Sequence, residues 1–230
     1  MLAATGPCTG AAGRTGRSTP EGYRAANPLG RTDVTDAPSS PNRTSPARAR
    51  LLAVADELFY ADGIMATGID RLIAEAQVTK ATFYKQYGSK DALILEYIAG
   101  RDRHVREALT GLLEARQDPA AVLSAVVDAV VADTARPDFR GDPFLNAAAE
   151  FASPVHAVRV AITEHRDWFT GFLEDRFREL GAPQPGAAAD EFSLLRDGAV
   201  CGSYAGDAVA ATSAFDRAAR RLFAAPVAVG

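Results

Sequence analysis

Residues 67–90 read TGIDRLIAEAQVTKATFYKQYGSK. In the first half Ile69, Leu72, Ile73 and Ala76 recur at helical spacing, which predicts a short helix over about 69–76 with one apolar face. Gln77-Val78 breaks the pattern, and a second short helix is expected over about 79–86. That helix should turn Thr79, Lys80, Thr82 and Lys85 outward and pack Ala81 and Phe83 inward. Gly88-Ser89 breaks the chain again, with Ser89 placed to cap a long helix over about 90–116. Two helices this short cannot bury a core between them, so they need a third.

The third helix lies just upstream. Ser45-Pro46 offers a capping residue followed by proline at the first helical position. Leu51, Leu52, Ala55, Leu58 and Phe59 then repeat at helical spacing over about 46–61, and Asp62-Gly63 stops the run. The three segments form a helix-turn-helix unit whose second short helix is narrow enough to enter a DNA major groove. Lysine donates to guanine O6 and N7, and threonine hydrogen-bonds a base or touches a thymine methyl, so Thr79, Lys80 and Thr82 suit base edges. Tyr84 and Lys90 suit phosphates, which fix position rather than sequence, and Lys85 joins the DNA-facing set. The chain carries a formal net charge of −4, yet Thr79 to Lys90 contains three lysines and no acid. The field at one face, not the sum over the chain, decides nucleic-acid binding.

Segment 46–98 resembles the DNA-binding domain of the tetracycline-repressor (TetR) family of bacterial regulators. The resemblance rests on Phe59, Gly63, Thr67, Ile69, Ile73, Ala76, Val78, Thr79, Lys80, Thr82, Phe83, Tyr84, Tyr87, Lys90 and Leu93. It implies that Thr79, Lys80, Thr82, Tyr84 and Lys90 face DNA. It also implies that Thr67 touches a phosphate or caps the following helix, and that Phe83 is core. Two positions depart from the family pattern. Gln77 stands where glycine is usual in the turn, which costs about 1 kcal/mol if the backbone there is left-handed. Gln86 stands where histidine is common.

Outward from this unit the chain is expected to be all-α. Residues 1–44 are rich in Gly, Pro, Ser, Thr and Ala without apolar periodicity, and read as a disordered arm. Residues 45–98 form the DNA-binding domain and 99–225 a helical C-terminal domain. Helices are expected there over about 119–134, 142–151, 155–180, 187–204 and 207–224, between breaks at Pro137, Gly141, Pro154, 181–186 and Gly206. No apolar run approaches the length of a membrane span. Met1 to Thr9 lacks basic residues and no apolar run follows, so a cytoplasmic location is expected. Cys8 and Cys201 have no CxxC neighbour, and the histidines lack ligand spacing, so neither metal nor cofactor is expected.

The resemblance implies that the C-terminal domain holds an effector pocket and dimerises through its last two helices. Beyond Tyr97 it is architectural, apart from the phrase GDPFLNAAAE at 141–150, which is similar to one in a subset of the family. Polar and aromatic residues on otherwise apolar helices nominate a pocket for a small organic effector: His104, Phe144, Asn146, Glu150, Trp168, Phe169 and Phe172. Ordinary core or surface is the alternative for each. Phe192, Leu195, Val200 and Tyr204 on the penultimate helix, with Phe215 and Leu222 on the last, nominate the homodimer interface. A monomer's own core is the alternative there.

The function expected is a ligand-responsive repressor, homodimeric on a palindromic double-stranded operator. Two rivals differ in class. One is an architectural or cell-division DNA-binder on the same fold without an effector. The other is a helical enzyme using Glu150 with His165 as acid and base, for which no nucleophile, metal set or phosphate loop is evident.

Overall fold

Prolines and short polar caps punctuate this chain, and the helices start where they stand. The computed structural model describes residues 45–224, which fold into nine helices with no strand among the described residues. They are α1 (Pro46–Asp62), α2 (Ile69–Glu75), α3 (Lys80–Tyr87), α4 (Lys90–Ala115), α5 (Pro119–Thr134), α6 (Pro143–Glu150), α7 (Ala157–Glu179), α8 (Pro185–Ala205) and α9 (Ala208–Phe223). Proline opens α1, α5, α6 and α8, where its missing N–H costs nothing. The side chains of Thr79, Ser89, Asp118, Asp142 and Asp207 each accept a hydrogen bond from a first-turn N–H. Ser45 stands before α1, but its hydroxyl makes no such bond. The arm expected over 1–44, with its arginines and Cys8, lies outside the described residues.

Two apolar cores result. The first joins Leu51, Ala55 and Phe59 of α1 to Leu72 of α2, Phe83 and Tyr87 of α3, and Leu93, Ile94, Tyr97 and Ile98 of α4. Phe59 meets Tyr97 edge to face at 5.5 Å. This core does not close on the first four helices alone, because Phe144 and Ala147 of α6 and Val158 and Ile162 of α7 complete it. The second core packs Leu109 of α4, Leu123 and Val127 of α5, Leu173 and Phe177 of α7, Phe192 of α8, and Phe215 and Ala219 of α9. Phe192 stands between Phe177 and Phe215, edge to face with each. Helix α4 runs unbroken through residue 98, so the boundary expected there falls inside a helix that serves both cores.

Candidate DNA interface and effector cavity

The recognition surface follows from one buried ring. Phe83 is fully buried against α1 and α4, which turns the opposite side of α3 to solvent. Thr79, Lys80, Ala81, Tyr84 and Lys85 are exposed on that side, and Thr82 is half-buried. Ala81 therefore does not pack inward as the spacing suggested. The α3 face has turned it to solvent beside Lys80. The hydroxyl of Thr79 accepts the Thr82 N–H at 3.1 Å and lies 2.9 Å from the Thr82 hydroxyl. Both threonines are thus held at the helix start, where base-reading residues stand. Lys80 reaches toward Asp70 at 3.6 Å, both side chains being largely exposed. An acid on α2 therefore stands beside a surface whose own segment has none.

The turn before α3 has the geometry the sequence feared. Gln77 has φ +52°, the one non-glycine residue with positive φ among the described residues. Its left-handed backbone lets the Val78 N–H reach the Ile73 carbonyl and swing α3 across α2.

Two expected DNA contacts are placed elsewhere. Thr67 is fully buried and its hydroxyl donates to the Gly63 carbonyl at 2.8 Å, so it neither faces a phosphate nor caps α2, whose N-cap is Gly68. A hydroxyl with a backbone acceptor one turn behind it in a closed loop satisfies itself there. Lys90 is half-buried, and its ammonium donates to the Ile64 carbonyl at 2.6 Å. Burial lowers its pKa, an effect that Glu150 and Asp91 partly offset. Beneath α3, Tyr87 donates to the Arg48 carbonyl, and burial, reinforced by Glu96 and opposed by Arg48, pushes its phenol up to about 12.

The phrase at 141–150 is a bolt between this unit and the rest of the chain. Gly141 takes φ +86°, and the carbonyl of this residue accepts the Tyr60 hydroxyl at 3.1 Å. The Arg140 N–H donates back to Tyr60 at 2.8 Å. The amide of Asn146 donates to the Arg140 carbonyl at 2.7 Å and closes the corner. At the far end of α6, the Glu150 carboxylate accepts the Ile64 and Met65 N–H groups at 2.8 and 2.6 Å. Gly63, at φ +97°, turns the chain beside that carboxylate. Helix α6 is thereby tied at both ends to the α1–α2 corner. Asn146 and Glu150 are not pocket residues: Asn146 is spent on the backbone of the corner just before α6, and Glu150 on backbone N–H groups far along the chain.

A cavity of about 340 Å³ lies among α4, α5, α6, α7 and α8. Of the residues nominated for a pocket, His104, Phe144 and Phe169 line it. Trp168 and Phe172 do not. They pack against the second core, with the Arg106 guanidinium 4.0 Å from the Trp168 ring and Arg176 over Phe172. Sequence reasoning missed Arg101, Arg136, Asp142 and Arg196, all of which line the cavity. For Arg101 and Arg196 the signal was present, an arginine on an otherwise apolar helix face, whereas Arg136 lies in the loop after α5 and Asp142 is the α6 cap. Asp142 caps α6 through the Phe144 and Leu145 N–H groups and pairs with Arg196. Burial alone would raise the Asp142 pKa, but Arg196 and the two backbone donors hold it below the usual carboxylate value. Burial would likewise lower the pKa of Arg196, yet Asp142 and Asp197 raise it, so the guanidinium stays charged. His165 stacks on Phe144 at 3.7 Å and bonds Asp102 at 2.8 Å, and burial, only partly offset by Asp102, lowers its pKa. Glu150 and His165 are each committed to different partners, so the structure does not assemble them as an acid–base pair.

On the last two helices, Phe192, Val200 and Phe215 are buried and Leu195 and Leu222 pack half-buried against the chain's own core, not toward a partner. Tyr204 is exposed, with the Arg140 guanidinium over its ring and donating to its hydroxyl. Among the residues α8 leaves exposed, Leu194, Gly198, Cys201 and Ala205 form a different stripe, with Asp190 and Glu191 exposed one turn before it.

A short helix with Thr, Lys and Tyr on its free side, set on a left-handed turn over a three-helix core, defines a helix-turn-helix DNA-binding protein. Residues 51–97 match the family model described as bacterial regulatory proteins, tetR family. A TetR-family transcriptional regulator from Streptomyces coelicolor is similar over 77% of this chain and 94% of its own, at 37% identity and a TM-score of 0.75. A TetR-type regulator from Streptomyces avermitilis is 27% identical, over 76% of this chain and 98% of its own, at a TM-score of 0.64. The HTH-type transcriptional regulator LmrA of Bacillus subtilis is 26% identical over 60% of this chain and 74% of its own. The chain belongs to the TetR family: it is a DNA-binding transcriptional regulator and not an enzyme. No helix of the described residues is long and apolar enough to cross a membrane.

Proposed function

We propose that the chain is a ligand-responsive repressor that binds a two-fold symmetric operator as a homodimer. The observation that carries this reading is the position of α6. Its N-terminal cap, Asp142, forms part of the cavity wall, and its last residue, Glu150, holds the α1–α2 corner that carries the recognition helix. A ligand that binds one arrangement of the cavity better than another therefore biases the setting of α3 through a rigid element. Thr79, Lys80 and Thr82 read base edges, while Tyr84 and Lys85 hold phosphates. Lys90 reaches a phosphate only by leaving the Ile64 carbonyl. Two recognition helices are needed for two half-sites, and the exposed stripe of Leu194, Gly198, Cys201 and Ala205 on α8 supplies the self-complementary face. Its small residues allow a partner helix to come close. In the domain reading that goes with this, residues 45–98 bind DNA and 99–225 bind effector and partner.

The test is a footprint on genomic fragments at moderate salt, repeated with the Lys80→Ala, Tyr84→Ala double variant. A protected palindrome whose affinity falls by about tenfold or more in the variant supports the reading. An undiminished footprint in the variant refutes the assignment of α3. Thermal-shift screening with small organic compounds separates a ligand-gated repressor from a same-fold binder without an effector, since only the former melts higher with a ligand.

A further inference from the structure

Resting on that reading, we infer that the cavity takes an amphipathic organic anion, a carboxylate on an aromatic or branched apolar body, with Arg196 as its principal anchor. Three guanidinium groups line the cavity, and each offers five N–H donors in a planar fork. Arg196 spends Nη2 on Asp142 and Nη1 on Asp197. Arg136 spends Nε on Asp133 at 2.9 Å and reaches Asp138 with Nη1 at 3.5 Å. Arg101 donates Nη2 to Asp56 at 2.9 Å. Its buried Nε lies 2.7 Å from the same carboxylate but is misaligned, and it has no hydrogen-bond partner. Donors remain on all three.

The carboxylates of the lining are spent. Both oxygens of Asp142 are taken, one by the Phe144 and Leu145 N–H groups and the other by Arg196. Asp133, the other carboxylate of the lining, is half-exposed and paired to Arg136. What the wall lacks is a free carboxylate opposite the remaining guanidinium donors, and a ligand supplies it. A carboxylate matches the guanidinium fork in two-point geometry, which an amide does poorly and an ammonium cannot do. The remaining wall dictates the body of the ligand. Val105, Leu109, Val126 and Val130 form an apolar side, and the rings of Phe144 and Phe169 face it. A second hollow of about 370 Å³ shares Tyr60, Arg101 and Arg136 with the cavity, and there Asp56, Glu57 and Asp138 stand beside the arginines.

The experiment uses the full chain and a panel of matched triplets, each one apolar body carrying a carboxylate, a primary amide or an aminomethyl group. Binding is read by calorimetry and melting temperature at neutral pH, with operator binding followed in the same preparation. The expected result is that the acids bind at least about tenfold tighter than their amides and amines. Arg196→Lys, which keeps the charge opposite Asp142 but loses the fork, should cut the preference for acids over their amides to a few-fold at most. Arg136→Gln, at the rim, gives an independent second reading because it does not touch the α6 cap. Amides or amines that bind as well as the acids overturn the anionic assignment and leave a ligand-responsive repressor standing. No compound of the panel binding at about 1 mM, in a preparation that still binds its operator, overturns the inference and the ligand-responsive reading together.

Discussion

At the scale of single residues, two positions on the recognition unit are not at their optimum. Gln77 holds a left-handed backbone that glycine adopts without strain. Gln77→Gly should raise unfolding stability by about 0.5–1 kcal/mol in urea titration and leave operator affinity unchanged, since the side chain is exposed and remote from the α3 face. Asp70 stands beside Lys80 with both side chains in water. Asp70→Asn frees that lysine and removes a charge that repels phosphate. The variant should bind any DNA up to about fivefold tighter and show a steeper salt dependence, measured by gel shift across a salt series. The left-handed turn was legible only through the family resemblance, in which glycine is usual at the position Gln77 holds. The side of α3 that carries Ala81 was not legible, because a small apolar residue fits either face and Phe83 alone sets which way the helix rolls.

At the scale of elements, α6 concentrates the long-range bonds. Glu150→Gln keeps one acceptor for two N–H donors and should cost about 1–2 kcal/mol. Hydrogen exchange should speed at Ile64 and Met65 while the second core stays protected, a local pattern that general destabilisation does not produce. Asp142→Asn retains a capping side chain but breaks the pair with Arg196, at about 1–3 kcal/mol near neutral pH. The folded pKa of Asp142 lies below its ordinary 3.8, so the stabilisation is complete above that value and is lost as the pH falls through the lower, folded one. The stability gap between wild type and variant, measured by urea unfolding, should therefore be constant from neutral pH down to about 4 and close below it. Helix ends were readable from prolines, glycines and caps, and observed boundaries agree closely with the expected ones. The roles of Asn146 and Glu150 were not readable. A polar residue on an apolar helix has the same local appearance whether it faces a cavity, the carbonyl of the corner before its own helix, or backbone amides some eighty positions away.

At the scale of the whole molecule, two cores share α4, and the cavity lies beside the elements that join them. Bulk misled the reading of the last two helices. Phe192 and Phe215 were assigned to a partner because large apolar residues drive association, but the chain's own second core has prior claim on them. What remains outside is smaller, and it defines the expected homodimer face. Leu194→Glu, at a position 72% exposed in the single chain, should leave the monomer fold intact. It should shift sedimentation to the monomer and weaken operator binding by about tenfold or more, since one half-site is lost from each complex. An unchanged sedimentation profile would remove α8 from the interface.

Arg140 reaches in two directions at once. Its main-chain N–H and Nε hold Tyr60 and Ala61 at the end of α1, while its Nη1 holds Tyr204 at the end of α8. In a two-fold assembly built on α8, this places one guanidinium per subunit as a strut between the symmetry axis and the reading head. The stiffness of that strut sets how much angular play the two heads have. A pair of regulators differing only at residue 140 should then differ less in how tightly they grip their best operator than in how many misspaced ones they tolerate.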